Sequence, residues 1–172
     1  TVERFSSHRP TDVDGLAAQV RAVAAAFPQR ALSGWPSDFA KAYKQVPGDP
    51  AQLRFVVVVQ WCPYHCRPIL WVARSQLFGG SSSPLNFARY PARMCEALAV
   101  CFGLACSHCV DDMIGTDPSD WVVSGWKAWR CLARRCGWEV SDEKPPPPSQ
   151  KFMVIGVTLD TSGTPAEPAR LS

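Results

Sequence analysis

Val13, Leu16, Val20, Val23, Ala24 and Phe27 recur at helical spacing, behind a capping-like start at Thr11 and Asp14. Pro28 ends that pattern, so the first predicted element is a helix. Ala31 to Asp38 reads as a short strand that delivers Asp38 at its end. A turn or short helix follows through Tyr43 and Gln45, and Pro47 to Pro50 form a loop. Leu53 to Trp61, rich in Val and Phe, predicts a buried strand, and Pro68 to Arg74 its hairpin partner across Pro63 to Arg67. Hydroxyl caps at Ser81 to Ser83 and the proline at Pro84 open a helix expected to run to about Gly103, with a bend at Pro91.

Leu104 to Cys109 and Met113 to Gly115 read as short strands joined by a tight turn at Val110 to Asp112. Asp117 and Pro118 are expected to open a helix with Val122, Trp126, Trp129, Leu132 and Cys136 as its apolar face, closed by Gly137. Trp138 to Ser141 predicts a short strand, Pro145 to Pro148 a polyproline turn, and Phe152 to Leu159 a last strand. This order of elements predicts an α+β fold, an antiparallel sheet with helices packed on one face. Ferredoxin-like folds are its nearest common architecture. The domain reading is an N-terminal helix in residues 1–30, the main domain in 31–160, and a disordered Thr/Ser/Pro/Gly-rich tail in 161–172.

Composition sharpens this only in places. A hydrophobic fraction of 47% against 19% charged residues predicts that most of the chain folds. No apolar run approaches the ~20 residues of a membrane helix. The first residue is Thr and no signal-peptide pattern follows, so the chain reads as an intracellular fragment or processed piece, in cytoplasm or nucleus, with no membrane partner. The net charge of +3 is compatible with a nucleic-acid partner without requiring one. Of the 8 cysteines, Cys95, Cys101, Cys106, Cys131 and Cys136 sit in apolar segments and are expected to be reduced, buried thiols.

The most informative local feature is Asp111–Asp112 between the apolar pairs Cys109-Val110 and Met113-Ile114. Adjacent acids repel each other, and their burial is costly unless a cation neutralises them. An exposed Asp-Asp turn accounts for the pair equally well when it is taken alone. Asp38 changes the balance, because it too stands at a predicted strand end. Three carboxylates at neighbouring strand ends suit two Mg²⁺ ions, with Mn²⁺ as a substitute. Two such metals serve in-line phosphoryl transfer.

The ordered series Asp38-Phe39-Ala40-Lys41-Ala42-Tyr43-Lys44-Gln45, Phe78-Gly79-Gly80-Ser81-Ser82-Ser83-Pro84-Leu85-Asn86-Phe87, Cys109-Val110-Asp111-Asp112, Gly137-Trp138 through Lys144, and Phe152 to Gly156 resembles the successive palm motifs of reverse transcriptases. The likeness, to RNA-directed DNA polymerases of retroviruses and retrotransposons, runs from about Leu32 to Asp160. The resemblance implies a polymerase palm over residues 31–160, with part of the fingers in 1–30. It implies nucleotidyl transfer from a dNTP to a DNA primer on an RNA or DNA template. Asp38 and Asp111 would be the principal metal ligands and catalytic groups, with Asp112 the second acid of the pair. Tyr43 would lie beneath the nucleotide sugar and exclude a 2′-hydroxyl. Gln45, Phe78, Gly79 and Pro84 would belong to the nucleotide and template pocket, and Lys144 would protonate the departing pyrophosphate. Cys109, Val110 and Gly156 would contact the primer. Each residue also has an ordinary role open to it: Tyr43 an amphipathic edge aromatic, Gly79 and Gly80 a plain turn, Lys144 a solvated lysine.

The chain departs from the family at Cys109, where an aromatic, most often Tyr, is usual. Residues 1–37 offer Arg4, Arg9, Arg21 and Arg30 without the family's basic finger pattern, and thumb and ribonuclease H regions are absent from the sequence. The alternatives are a catalytically inactive retroelement relic, and a zinc-binding module built from Cys62, His65, Cys66, Cys106, His108 and Cys109, whose spacings match no standard finger. Nothing in the sequence fixes an oligomeric state.

Overall fold

The structure is a computed structural model that describes residues 11–80, 83–142, 148–163 and 170–171. It divides into two compact units, Thr1–Ala40 with Ala88–Ser172, and Lys41–Phe87.

In the first unit, helix α1 (Val13–Ala26) begins where the Asp12 carboxylate accepts a hydrogen bond from the Gly15 amide at 2.8 Å. The cap is therefore Asp12, between the two residues expected to supply it. Leu16, Val20 and Val23 repeat at i, i+4, i+7 and are buried together. Strand β1 (Leu32–Asp38) follows. Helix α2 (Ser83–Phe102), which belongs to this unit from Ala88 onward, contains Pro91, which has no N–H for an i→i−4 bond. Strands β4 (Cys106–Cys109) and β5 (Asp112–Pro118) form a hairpin, and β5 pairs on its other edge with β1, giving an antiparallel order β1-β5-β4. Ser149 bridges to Gly34 and Val140 to Phe39, both antiparallel, along β1.

Strand β5 extends through Pro118, which pairs with Leu32, and helix α3 (Val122–Arg135) starts only after Trp121. Asp117 thus lies in the sheet rather than at the helix start expected for it. On α3 the buried residues are Val122, Gly125, Trp129 and Ala133, while Trp126 and Leu132 are half-buried and Cys136 is exposed. Small residues sit where the helix comes closest to the sheet. Gly137 closes α3 at φ 82°.

The expected last strand is instead a hairpin, β6 (Lys151–Val154) with β7 (Val157–Asp160), turning at Ile155 and Gly156. Both turn residues have positive φ, 53° and 75°, the sign pattern of a type I′ turn. A β-branched residue rarely adopts this backbone, which is why the sequence reads as one continuous strand. Part of the segment expected to be disordered is built into this sheet. Thr161 is buried and donates to the Leu32 carbonyl at 2.8 Å, and β8 (Arg170–Leu171) pairs with β7.

Alternation assigns the two faces of the β1-β5-β4 sheet. Trp35, Met113, Gly115 and Cys106 share one face, toward which α3 presents Trp129, stacked on Trp35 with ring centroids 6.5 Å apart, and α2 presents Cys95, whose Sγ lies 3.9 Å from that of Cys106. Leu32 and Ile114 face the other way, into a cluster with Leu16, Val20 and Val23 of α1 and Phe152, Val154 and Leu159 of the hairpin. The expectation of helices on one face holds for α2 and α3. It fails for α1, because both faces of this short sheet are apolar and each needs a cover. No helix among the described residues is long and apolar enough to cross a membrane.

The second unit holds short 3₁₀ segments at Ala42–Gln45 and Pro50–Phe55, and the hairpin of β2 (Val57–Cys62) and β3 (Arg67–Val72). The strand expected to be buried is not: Val57, Val58, Val59, Trp61, Leu70, Trp71 and Val72 are all exposed. Of the cysteines, Cys95 and Cys106 are buried as expected, whereas Cys101, Cys131 and Cys136 lie exposed, and all eight are free thiols.

Candidate functional site

The sheet register brings the candidate acids together. Asp38, the last residue of β1, is directly opposite Asp112, the first residue of β5. Cys109 pairs with Asp112 from the other side, so Val110 and Asp111 form a two-residue turn at the tip of β4 and β5. The three aspartates are half-buried. Opposed residues of an antiparallel pair point to the same face, so Asp38 and Asp112 project on the Ile114 side, away from α2 and α3.

Val110 holds a φ of 53°. Only the first of the two turn residues is positive, the sign pattern of a type II′ turn, whose first position ordinarily takes Gly. A valine there is strained, and strain of this kind gathers at functional sites. The consequence is local: Asp111 stands in the turn that adjoins Asp112.

A depression of about 410 Å³ opens beside these acids, lined by Pro36, Ser37, Asp38, Asp112, Met153, Val154 and Ile155. Gly156 lies in the same turn as Ile155. The strained Ile155–Gly156 turn therefore places an apolar wall, with Met153 exposed, opposite two carboxylates. Sequence reading included Met153 and Ile155 in the Phe152 to Gly156 segment but singled out only Gly156, because it saw no turn there. Among the described residues no three Cys, His, Asp or Glu side chains converge on one point, so the aspartates are neighbours in register without closing on a common centre.

Titratable groups along β4 and β5 are shifted. Burial first, then the carboxylates of Asp112 and Asp111, push the Cys109 thiol up. Burial lowers His108, which is 1% exposed, with the Val110 backbone offsetting part of the effect; neither ring nitrogen closes a hydrogen bond of normal geometry among the described residues. Asp117 is raised to about 6 by burial, against a smaller opposing effect of the Trp35 indole, although its Oδ2 closes no hydrogen bond of normal geometry either. His108 alternates with Cys109 along β4 and so faces the opposite side of the sheet. That alternation separates Cys106 and His108 from Cys109, against the alternative of a zinc site that uses all three.

The remaining candidates stand elsewhere. Tyr43, Gln45, Phe78, Gly79 and Pro84 belong to the second unit. There Tyr43 packs against Phe78 and Phe87, with ring centroids 5.7 and 5.2 Å away. Phe78 is otherwise exposed, and Gly79 follows it at φ 88°. Gly80 is needed because a Cβ there would stand 2.7 Å from Ser83 Oγ. Lys144 lies outside the described residues. Compared with known proteins, the chain matches no protein-family model and no curated sequence.

Proposed function

We propose that the chain is the palm of a reverse-transcriptase-type polymerase, in which Asp38, Asp111 and Asp112 serve nucleotidyl transfer to a primer end. The observation that carries this reading is the register of β1 against β5, which sets Asp38 opposite Asp112 with Asp111 in the adjoining turn. Like charges directly across a sheet are unfavourable, and a cation is the common remedy. The strand order β1-β5-β4, with Ser149 bridging on β1, is also compatible with the ferredoxin-like core of a palm.

The donor set fits hard divalent cations, because it is all carboxylate oxygen. Asp38, Asp111 and Asp112 would hold Mg²⁺, which would supply charge neutralisation to the attacking and leaving oxygens of an in-line transfer. The chain's own contribution is positional. The tight Val110–Asp111 turn fixes the acids, and the Met153–Ile155 wall offers an apolar surface to a primer sugar and base. In the second unit, Tyr43 and Phe78 supply aromatic surface suited to a nucleotide. Cys109 provides less contact area than an aromatic would, so slow turnover is expected.

The test has two arms. Thermal unfolding with and without Mg²⁺ or Mn²⁺ reads metal binding, which should disappear in Asp38→Asn. Extension of an oligo(dT) primer on poly(rA) reads chemistry, which should fall by about 10²-fold or more in that variant. Equal extension by both proteins would remove the catalytic assignment, and a metal response without any extension would favour an inactive relic.

A further inference from the structure

Helix α3 carries Lys127, Arg130, Arg134 and Arg135 and no acid. Lys127, Arg130 and Arg134 recur at i, i+3, i+7 and so form one stripe about 10 Å long. Trp129, buried against the sheet, is two residues from Lys127 and therefore about 200° around the helix, so the stripe faces away from the sheet. The helix dipole accounts for Arg134 and Arg135 in the last turn. It does not account for Lys127, two turns earlier, and like charges at i, i+4 such as Arg130 and Arg134 oppose helix formation.

Ion pairing answers only part of this charge. Asp142 pairs with Arg130, whose side chain is 12% exposed, and reaches Arg134 at 3.7 Å. Lys127 and Arg135 meet no acid within ion-pair distance among the described residues. Arg130 is fixed over the Trp126 indole, 5.1 Å from the ring centroid, beside an open depression of about 500 Å³ bounded by these cations. Positive charge interleaved with a flat aromatic suits a chain of phosphates carrying flat bases. An acidic peptide would answer the charge but leave the aromatic unused.

We infer that the outer face of α3 is a second docking surface for single-stranded nucleic acid, distinct from the carboxylate depression. Lys127, Arg134 and Arg135 contact phosphates, and the Trp126–Arg130 pair offers the stacking plane. The surface lies across the sheet from Asp38 and Asp112, so it binds strand outside any reacting centre and stands whether or not the carboxylates are catalytic.

Fluorescence anisotropy of end-labelled dT20 and rU20 over a KCl series tests the assignment. The triple variant Lys127→Gln, Arg134→Gln, Arg135→Gln, all exposed positions, should bind at least about tenfold more weakly, and its salt slope should fall by about 2, near 0.7 for each lost phosphate contact. Arg21→Gln, an exposed cation on α1 across the sheet from α3, should leave affinity and salt slope unchanged, which separates this surface from general electrostatic attraction. A triple variant with wild-type unfolding temperature, affinity and salt slope would overturn the inference. Polyglutamate competing as well as either oligonucleotide would overturn it in favour of an acidic protein partner. Tighter binding of rU20 than dT20 would identify RNA as the source, and the reverse DNA, within the same assignment.

Discussion

The Trp35 indole lies across Gly115, its partner on the neighbouring strand, so closely that a Cβ at Gly115 would overlap the ring. One residue earlier, Gly34 makes the same provision for Phe152 on the opposite face of the sheet. The two glycines let one large aromatic settle on each side of the strands that carry Asp38 and Asp112. Trp35 is then held beneath Trp129 of α3, and Phe152 within the α1 cluster.

Gly115→Ala and Gly34→Ala should each destabilise the fold by about 1–3 kcal/mol, the usual cost of overpacking a filled core. Urea unfolding followed by tryptophan fluorescence gives the measurement. If either variant is as stable as the parent, the aromatic has room to move and the close approach is not structural.

The Asp38–Asp112 opposition should be visible in stability without any assay of chemistry. In EDTA, Asp112→Asn should stabilise the chain by about 0.2–1 kcal/mol, because a directly opposed like-charge pair is removed. With Mg²⁺ at ten times its dissociation constant, the parent should gain about 1.4 kcal/mol by linkage and the variant much less. Melting curves in the two buffers decide it. A variant less stable than the parent in EDTA would show that the other interactions of Asp112 outweigh any repulsion from Asp38.

Much of this arrangement was legible in the sequence, for local reasons. Leu16, Val20 and Val23 announce α1 by their period, and Asp38 and Asp112 stand at strand ends that short apolar runs mark out. What was not legible depends on partners far along the chain. The valines from Val56 to Val59 look like a buried strand, yet an apolar run says nothing about what covers it. Ile155 hides a turn, because its positive φ is tolerated rather than encoded. Asp117 resembles a helix start followed by proline, and only the pairing of Pro118 with Leu32 places it in the sheet. Trp126 was expected to share the buried face of α3, but the helix seats Gly125 and Ala133 closer to the sheet and leaves the tryptophan half-buried.

Asp117 should make stability fall as pH rises. Its folded pKa, about 6, lies above the ordinary carboxylate value because burial disfavours the anion, and its Oδ2 stands 2.6 Å from where a Gly125 side chain would begin. Below about pH 4 the group is protonated in both states and contributes nothing. Between about 4 and 6 the unfolded chain ionises first, so stability declines, and above 6 the full penalty of about 3 kcal/mol is present. Asp117→Asn should therefore be more stable than the parent at pH 8 and show a flatter profile from pH 4 to 7. Urea midpoints at pH 4, 6 and 8 measure this, and parallel profiles for the two proteins would reject Asp117 as the source.

The β2–β3 hairpin leaves a different liability. Val58 and Trp71 are direct cross-strand partners, 41% and 55% exposed, and the residues that alternate with them are exposed as well. Both faces of the ribbon are thus apolar and wet, and the two strands pair only with each other among the described residues. A two-stranded ribbon is marginal alone, and exposed apolar strand edges pair with whatever edge they meet. The chain should consequently self-associate as its concentration rises. Val58→Lys with Trp71→Glu replaces the apolar pair by an opposite-charge pair on one face, keeping a favourable cross-strand contact while removing much of the apolar area. Sedimentation velocity from low to high micromolar protein should show the parent's average mass rising and the variant's staying near that of one chain. Identical concentration dependence in the two would mean that the hairpin is not the surface through which copies meet.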